Sequence, residues 1–235
     1  CIRDSIEDAR RRFVSDASHE LKTPLAGIRL LSDSILQTQD MDAQTVREFV
    51  GDIEQESERL ARITENLLRL TRLDSGLLPE AQRVDLSSVV ARVARMLRLV
   101  AEEKKVDLSY EVRREGQTLA SEDEIHEIIY NLTENAIKYN HPGGFVKLAL
   151  AGDEDNCLLT VSDDGIGIPE EDMPRIFDRF YRVDKMRSRA AGGTGLGLSI
   201  AQEILNQHKG SIEISSEYGK GTSVLITMPA AEAQA

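Results

Sequence analysis

From Val46 onward, apolar residues return every seven positions. Val46, Ile53, Leu60 and Leu67 form one row; Phe49, Ile63 and Leu70 form a second row three residues behind, which Glu56 interrupts. A seven-residue repeat on a 3.6-residue helix keeps one narrow stripe facing one way, the seam of a coiled coil or helical bundle. An earlier seam runs through Val14, Ala17, Leu21, Pro24, Ile28, Leu31 and Ile35. Between them lies the polar stretch Thr38-Gln39-Asp40-Met41-Asp42, whose last residue is placed to cap the second helix. The pattern predicts an antiparallel helical hairpin over 1–75, each arm on the order of 50 Å long at about 1.5 Å per residue. Two helices make only a thin core. The hairpin is therefore expected to pair with a second copy as a homodimeric four-helix bundle.

The texture then changes. Gly76 and Pro79 mark a linker over 76–83. Asp85 is positioned to cap a helix from Leu86 to about Glu103, and Pro24 is expected to bend the first helix. Strands are expected at Val106–Val112, Phe145–Leu150 and Leu158–Val161, and helices at Glu122–Tyr139 and Leu196–His208. Ser211–Ser215 and Ser223–Thr227 read as a closing hairpin turning through 217–221. The mixture predicts an α/β two-layer sandwich over 84–230, followed by a short tail over 231–235. With 41 acidic and 29 basic residues the net charge is −12, the wrong balance for a general nucleic-acid binder. No apolar run approaches the roughly 20 residues needed to span a bilayer, so no direct membrane contact is expected. Cys1 and Cys157 offer neither metal-ligand spacing nor a disulfide framework, which fits a reducing cytosol. The start at Cys1 reads as that of a piece of a longer protein.

Five features carry chemistry. His19 falls on the hairpin position furthest from the seam, with Glu20 beside it and Lys22 and Thr23 one turn on, the parts of an exposed nucleophile and its base. Asn131 and Asn135 lie four apart on one helix face, followed by Lys138; neutral oxygens beside an ammonium suit Mg²⁺ and phosphate. In Val161-Ser-Asp-Asp-Gly-Ile-Gly-Ile-Pro169, a strand ends at Asp163, whose carboxylate can accept from an exocyclic amine, while Gly165 and Gly167 let backbone approach a flat ring. Gly192-Gly-Thr-Gly-Leu-Gly-Leu198 opens a helix whose N-terminus can receive a phosphate. Basic residues outnumber acidic ones from Arg175 to Arg189, where a polyphosphate would be drawn and a lid could lie. The histidine, the asparagine pair, the Asp163 segment and the basic stretch also have plainer readings: a surface histidine, a polar helix face, a turn and a charged loop.

Taken in this order, the segments resemble the core of a two-component sensor histidine kinase. The likeness covers about Arg10 to Met228. The hairpin resembles the dimerisation and histidine-phosphotransfer domain, and the remainder resembles the ATP-binding domain shared with gyrase, mismatch-repair and heat-shock ATPases. The resemblance implies His19 as phosphoacceptor, Glu20 as its orienting base, and Thr23 as a partner of Glu20 in phosphatase activity. It implies nucleotide contacts at Asn131, Asn135, Lys138, Tyr139, Asp163, Gly165, Gly167, Arg182, Gly193, Thr194, Gly195, Leu196 and Gly197, with Asn135 the Mg²⁺ ligand. Phe177 and Phe180 match the phenylalanine box, and Thr133 stands where an aliphatic is more usual. The implied cofactors are ATP and Mg²⁺. The implied partner is a response-regulator receiver domain, and the implied setting is the cytoplasmic portion of a membrane-bound sensor. A phosphatase-biased enzyme and a non-catalytic ATP-binding scaffold are the alternatives.

Overall fold

The computed structural model describes residues 2–38, 40–75, 80–183 and 193–231, with side chains described from Phe13 onward. They form two compact units that divide between Thr71 and Arg72, with Gly193 and Thr194 grouped with the first.

The first unit is the hairpin. Helix α1 spans Ile2–Gln37 and α2 spans Ala43–Asp74, whose last turn belongs to the second unit. Asp42 closes the start of α2. Its Oδ1 accepts from the N–H groups of Gln44 and Thr45, both at 2.9 Å, and its Oδ2 accepts from Thr45 Oγ1 at 2.6 Å. Helix α1 continues through Pro24, which is buried in the seam; the carbonyl it leaves without a helical donor is that of Glu20. The two rows of α2 differ in depth. Ile63 and Leu70 are fully buried, whereas Val46, Ile53, Leu60 and Leu67 stay half-exposed.

Glu56, the break in the deeper row, has a partner. Arg59, with a side chain only 5% exposed, lies 3.6 Å from Glu56 and 3.2 Å from Glu20 on the other helix. A buried guanidinium needs such compensation, because removing one partner of a buried pair strands a charge at a cost of roughly 3–5 kcal/mol.

The second unit is built on a five-stranded sheet of β2 (Asp107–Val112), β4 (Phe145–Gly152), β5 (Asn156–Asp163), β6 (Ser211–Glu217) and β7 (Gly221–Pro229). The spatial order is β2-β4-β5-β7-β6; β2 runs parallel to β4 and every other pairing is antiparallel. Alternate residues turn inward, among them Val146, Leu148, Leu150, Leu159, Val161, Ile226 and Met228. They pack beneath helices α3 (Leu86–Lys104), α4 (Glu122–Lys138) and α5 (Gly197–Gln207), which contribute Val93, Leu97, Ile125, Ile128, Ile200 and Ile204. This is the half-buried pattern of a two-layer sandwich. Thr133 sits fully buried in α4 without stranding its hydroxyl, which donates to the Ile129 carbonyl at 2.7 Å.

Two strands were not expected from the sequence. β1 (Gln82–Asp85) pairs antiparallel with β3 (Gln117–Ala120) in a separate two-stranded sheet. Gln82 and Arg83, expected to be linker, are therefore strand; residues 76–79 of that linker lie outside the described residues. Ala231, expected to open a tail, is buried and donates its N–H to the Gln117 carbonyl at 2.7 Å, while 232–235 lie outside the described residues.

Asp85 caps α3 as expected, accepting from the Ser87 N–H at 3.0 Å and from Ser88 Oγ at 2.5 Å. The Ser88 hydroxyl is the main cause holding its carboxyl below the usual value. A lowered carboxyl contributes stability that is present above the unfolded value and is lost as pH falls through the folded one. Asp85→Ala should therefore lower unfolding stability by about 1 kcal/mol at pH 7. In urea melts the difference from the unaltered protein should shrink on acidification through the carboxylate range.

Candidate functional site

In the hairpin, His19 is exposed on α1. Thr23, one turn on, donates its hydroxyl to the His19 carbonyl at 3.2 Å. Glu20 is half-buried, and its Oε2 accepts from Arg59 Nη2 at 3.2 Å. Arg59 is the residue that sequence reading missed. An arginine next to a seam on a charged helix gives no local signal of a cross-helix partner 39 residues away.

In the second unit, the segment after β5 is the centre of the site. Asp163 ends the strand half-buried, with Oδ1 accepting the Gly165 N–H at 2.9 Å. Burial is the main cause pushing its carboxyl up, and backbone hydrogen bonds from Gly165 and Thr222 oppose that shift. Gly165 is buried where only a glycine fits, because a Cβ would lie 2.7 Å from the Tyr139 carbonyl oxygen and 2.9 Å from Asp163 Oδ1. Gly167 adopts φ +66°, and a Cβ there would fall 2.1 Å from the Glu217 carbonyl oxygen. The Ile166 N–H donates to the Tyr139 carbonyl at 3.1 Å, joining this turn to the end of α4. Asp163, Gly165, Gly167 and Tyr139 are thus one neighbourhood.

Helix α4 also carries Asn131 and Asn135, both half-buried. Asn131 lies against the start of α5, since a Cβ on Gly197 would sit 3.5 Å from its carboxamide carbon. The structure therefore joins the asparagine helix to the glycine-rich run. Leu196 is fully buried just before α5. Gly195, at φ +72°, accepts from the Phe180 N–H at 2.8 Å. Phe180 itself takes φ +65°, a region that costs a bulky residue roughly 1–3 kcal/mol. Phe177 is half-buried and Arg182 buried nearby in sequence. Lys138 Nζ sits 5.1 Å from the centroid of the Tyr139 ring. Gly193 is half-buried and Thr194 buried, grouped with the first unit; Gly192 and the basic residues after Asp184 lie outside the described residues.

The donor set indicates how a cation would be held. The described residues contain no cluster of three or more His, Cys, Asp or Glu side chains able to grip a metal. A hard cation at Asn135 would take a neutral amide oxygen from the protein and its remaining ligands from phosphate and water, the habit of Mg²⁺. The Asp163 carboxylate and the Cβ-free backbone at Gly165 suit the amine edge and face of a purine.

An exposed histidine on a helical hairpin is thus followed in the same chain by an α/β unit whose Asp163–Gly165 turn has the chemistry to meet a purine. Comparison with known proteins agrees. Residues 9–76 match the His Kinase A (phospho-acceptor) domain, and residues 120–232 match the histidine kinase-, DNA gyrase B- and HSP90-like ATPase. The chain is 37% identical over 225 residues to the sensor-like histidine kinase SenX3 of Mycolicibacterium smegmatis, covering 95% of this chain and 58% of that protein. It is 33% identical over 240 residues to the sensor histidine kinase WalK of Bacillus subtilis, covering 98% of this chain and 38% of that one. The chain thus spans between about two-fifths and three-fifths of the length of these relatives. Similar solved structures include the Acinetobacter baumannii histidine kinase AdeS, at TM-score 0.72 and 23% identity over 90% of this chain and 97% of that one. Another is the histidine kinase ThkA in complex with the response regulator TrrA, at TM-score 0.74 and 19% identity over 99% of this chain and 67% of that one. The chain belongs to the sensor histidine kinases of two-component systems.

A carboxyl raised by burial penalises the folded state above its folded value and not below its unfolded one. Asp163→Asn should therefore raise the melting temperature of the nucleotide-free protein at pH 7, with the gain fading as pH falls through the raised value towards the ordinary 3.8 and absent below it. The same change should weaken ATP binding, read by calorimetry.

Proposed function

We propose that the chain is the catalytic core of a sensor kinase that phosphorylates His19 from Mg-ATP and passes the phosphoryl group to an aspartate of a response regulator. One observation carries this reading: a solvent-facing His19 on the hairpin stands in the same chain as the Asp163–Gly165 turn, joined to Tyr139 at the end of the helix that carries Asn131 and Asn135. We take 1–75 as the dimerisation and phosphotransfer hairpin, 76–81 as the linker and 82–231 as the ATP-binding domain, in a homodimer. The parent is read as membrane-bound with this part in the cytoplasm. Among the described residues no helix is long and apolar enough to cross a membrane.

In this reading Asp163 and the turn through Gly167 hold the adenine. Asn131, Lys138, Tyr139, Arg182 and residues 193–197 hold the phosphates, the glycine-rich run presenting backbone N–H groups at the start of α5. Asn135 supplies the protein ligand for Mg²⁺, which when bound offsets charge on the phosphate oxygens. A ring nitrogen of His19 attacks the γ-phosphorus, the bond to the β-γ bridging oxygen breaks, and ADP departs. The proton released from the imidazole passes to Glu20, whose carboxylate Arg59 holds in place. The protein mostly positions and stabilises, because such transition states are loose.

A second activity has its own support. Thr23 sits one turn beyond His19, tied to the His19 carbonyl, where its hydroxyl and Glu20 can orient a water towards a partner's phosphoaspartate. Incubated with Mg-ATP, the protein should gain one phosphoryl mass that survives base and is lost in acid, and His19→Gln should gain none. Thr23→Ala should keep that gain but slow dephosphorylation of the partner. Phosphate retained by His19→Gln would overturn the assignment.

A further inference from the structure

A groove of about 550 Å³ lies between α3 and β2. Its α3 wall is made of small residues, Ala91, Ala94 and Ala101, and the opposite wall of Val106, just before β2, with Leu108 and Tyr110 of the strand. Strand β2 is the edge of the five-stranded sheet. Its pairing with β4 fixes which backbone groups remain open. The N–H of Asp107 donates to the Gly144 carbonyl and that of Arg113 to the Leu150 carbonyl, both at 2.9 Å. Backbone direction alternates along a strand, so 107, 109, 111 and 113 address β4. The N–H and C=O groups of Leu108, Tyr110 and Val112 therefore point away from the sheet.

Proteins usually blunt such edges with charge or a bulge. Here the one acid in the middle of the strand, Glu111, is turned back to the sheet, with Lys147 Nζ at 2.8 Å and Arg113 Nε at 3.0 Å. Those cations are the main causes holding it down at about 2. The open side keeps Tyr110 and Val112 exposed. The charged groups lining the groove are Arg95 and Arg98 with Glu102 and Asp107. Arg98 is taken by Glu102 at 3.0 Å, whereas Arg95 has no ion-pair partner among the described residues.

From these features we propose that β2 and α3 form a docking groove for an extended acidic peptide segment of another polypeptide, which adds to the sheet as a sixth strand. Main-chain hydrogen bonds to Leu108, Tyr110 and Val112 would supply the pairing. Apolar side chains on the groove side would meet the alanine wall, and an acidic side chain between them would meet Arg95. Helix-plus-edge grooves elsewhere capture peptides by this division between backbone pairing and side-chain pockets. The inference is independent of the kinase reading.

The probe is the labelled peptide acetyl-Ser-Val-Thr-Glu-Thr-Val-Ser-amide, whose Val, Glu and Val face one side when extended. Fluorescence anisotropy should show saturable binding at or below about 1 mM. Hydrogen exchange should slow at Leu108, Tyr110 and Val112 and not at 107, 109 or 111. Arg95→Glu, an exposed change that should leave folding and ATP binding intact, should weaken binding about tenfold. A lysine in place of the peptide glutamate should restore binding to Arg95→Glu. N-methylation at alternate peptide positions should abolish binding. The proposal falls if no saturable binding occurs, if binding survives N-methylation, if protection appears elsewhere, or if the surface binds anionic vesicles and not the peptide.

Discussion

The turn that follows β5 depends on backbone passing closer to its neighbours than side chains allow. At Gly167 the chain runs against the Glu217 carbonyl, and the stretch around it is held from two directions. Ile166 donates to the Tyr139 carbonyl at 3.1 Å, and its own carbonyl accepts from Gly219 at 2.8 Å. Ile168 donates to Ser216 Oγ at 2.8 Å. One short segment thus pins the end of α4 to the β6–β7 turn. The hydrogen bonds that complete the fold here are also those that set Asp163 and Gly165 in place, so the site is stiff because the fold is.

A buried polar pair does comparable work elsewhere in this unit. His208, at the end of α5, lies 2.9 Å from Glu124 in the first turn of α4, with side chains 7% and 5% exposed. At their other contact the same two helices meet through Gly197 and Asn131. Two attachments far apart along a helix fix its rotation as well as its position, which a single apolar contact would not. The pairing also keeps two desolvated polar groups satisfied, without which each would cost stability.

Much of this organisation was legible because it rests on local rules. The heptads of α2, the caps at Asp42 and Asp85, and the alternation in β4, β5 and β7 each follow from side chains within a few residues of one another. The clustering of Asp163, Gly165 and Gly167 was readable because glycine at close approach is a backbone requirement that shows in sequence. What stayed hidden depends on distant partners. β1 and β3 are four-residue strands, too short for a period to register, and they exist because each pairs with the other. Arg59 and the Glu124–His208 pair are ordinary polar residues in sequence, and only the fold brings their partners within reach. The role of Glu56 inverted: it looked like a flaw in the seam, and it is one of the carboxylates flanking a buried arginine.

The same arginine explains how adjacent residues of one helix serve opposite environments. Successive side chains on an α-helix diverge by about 100°. Glu20 points inward to Arg59, while His19, one residue earlier, faces water. If Glu20 were free to rotate, its carboxylate would have many orientations relative to the imidazole; tethered across the hairpin, it has few, which in the proposed phosphotransfer leaves less entropy to be lost. That tether depends on the depth of the inner row, because Ile63 and Leu70 exclude water from the α2 face that carries Arg59. The shallower row of Val46, Ile53, Leu60 and Leu67 is half-covered by one hairpin alone, and a second hairpin would complete its burial. The proposed dimer therefore uses the row that the tether does not need, and association can occur without disturbing the arrangement around His19.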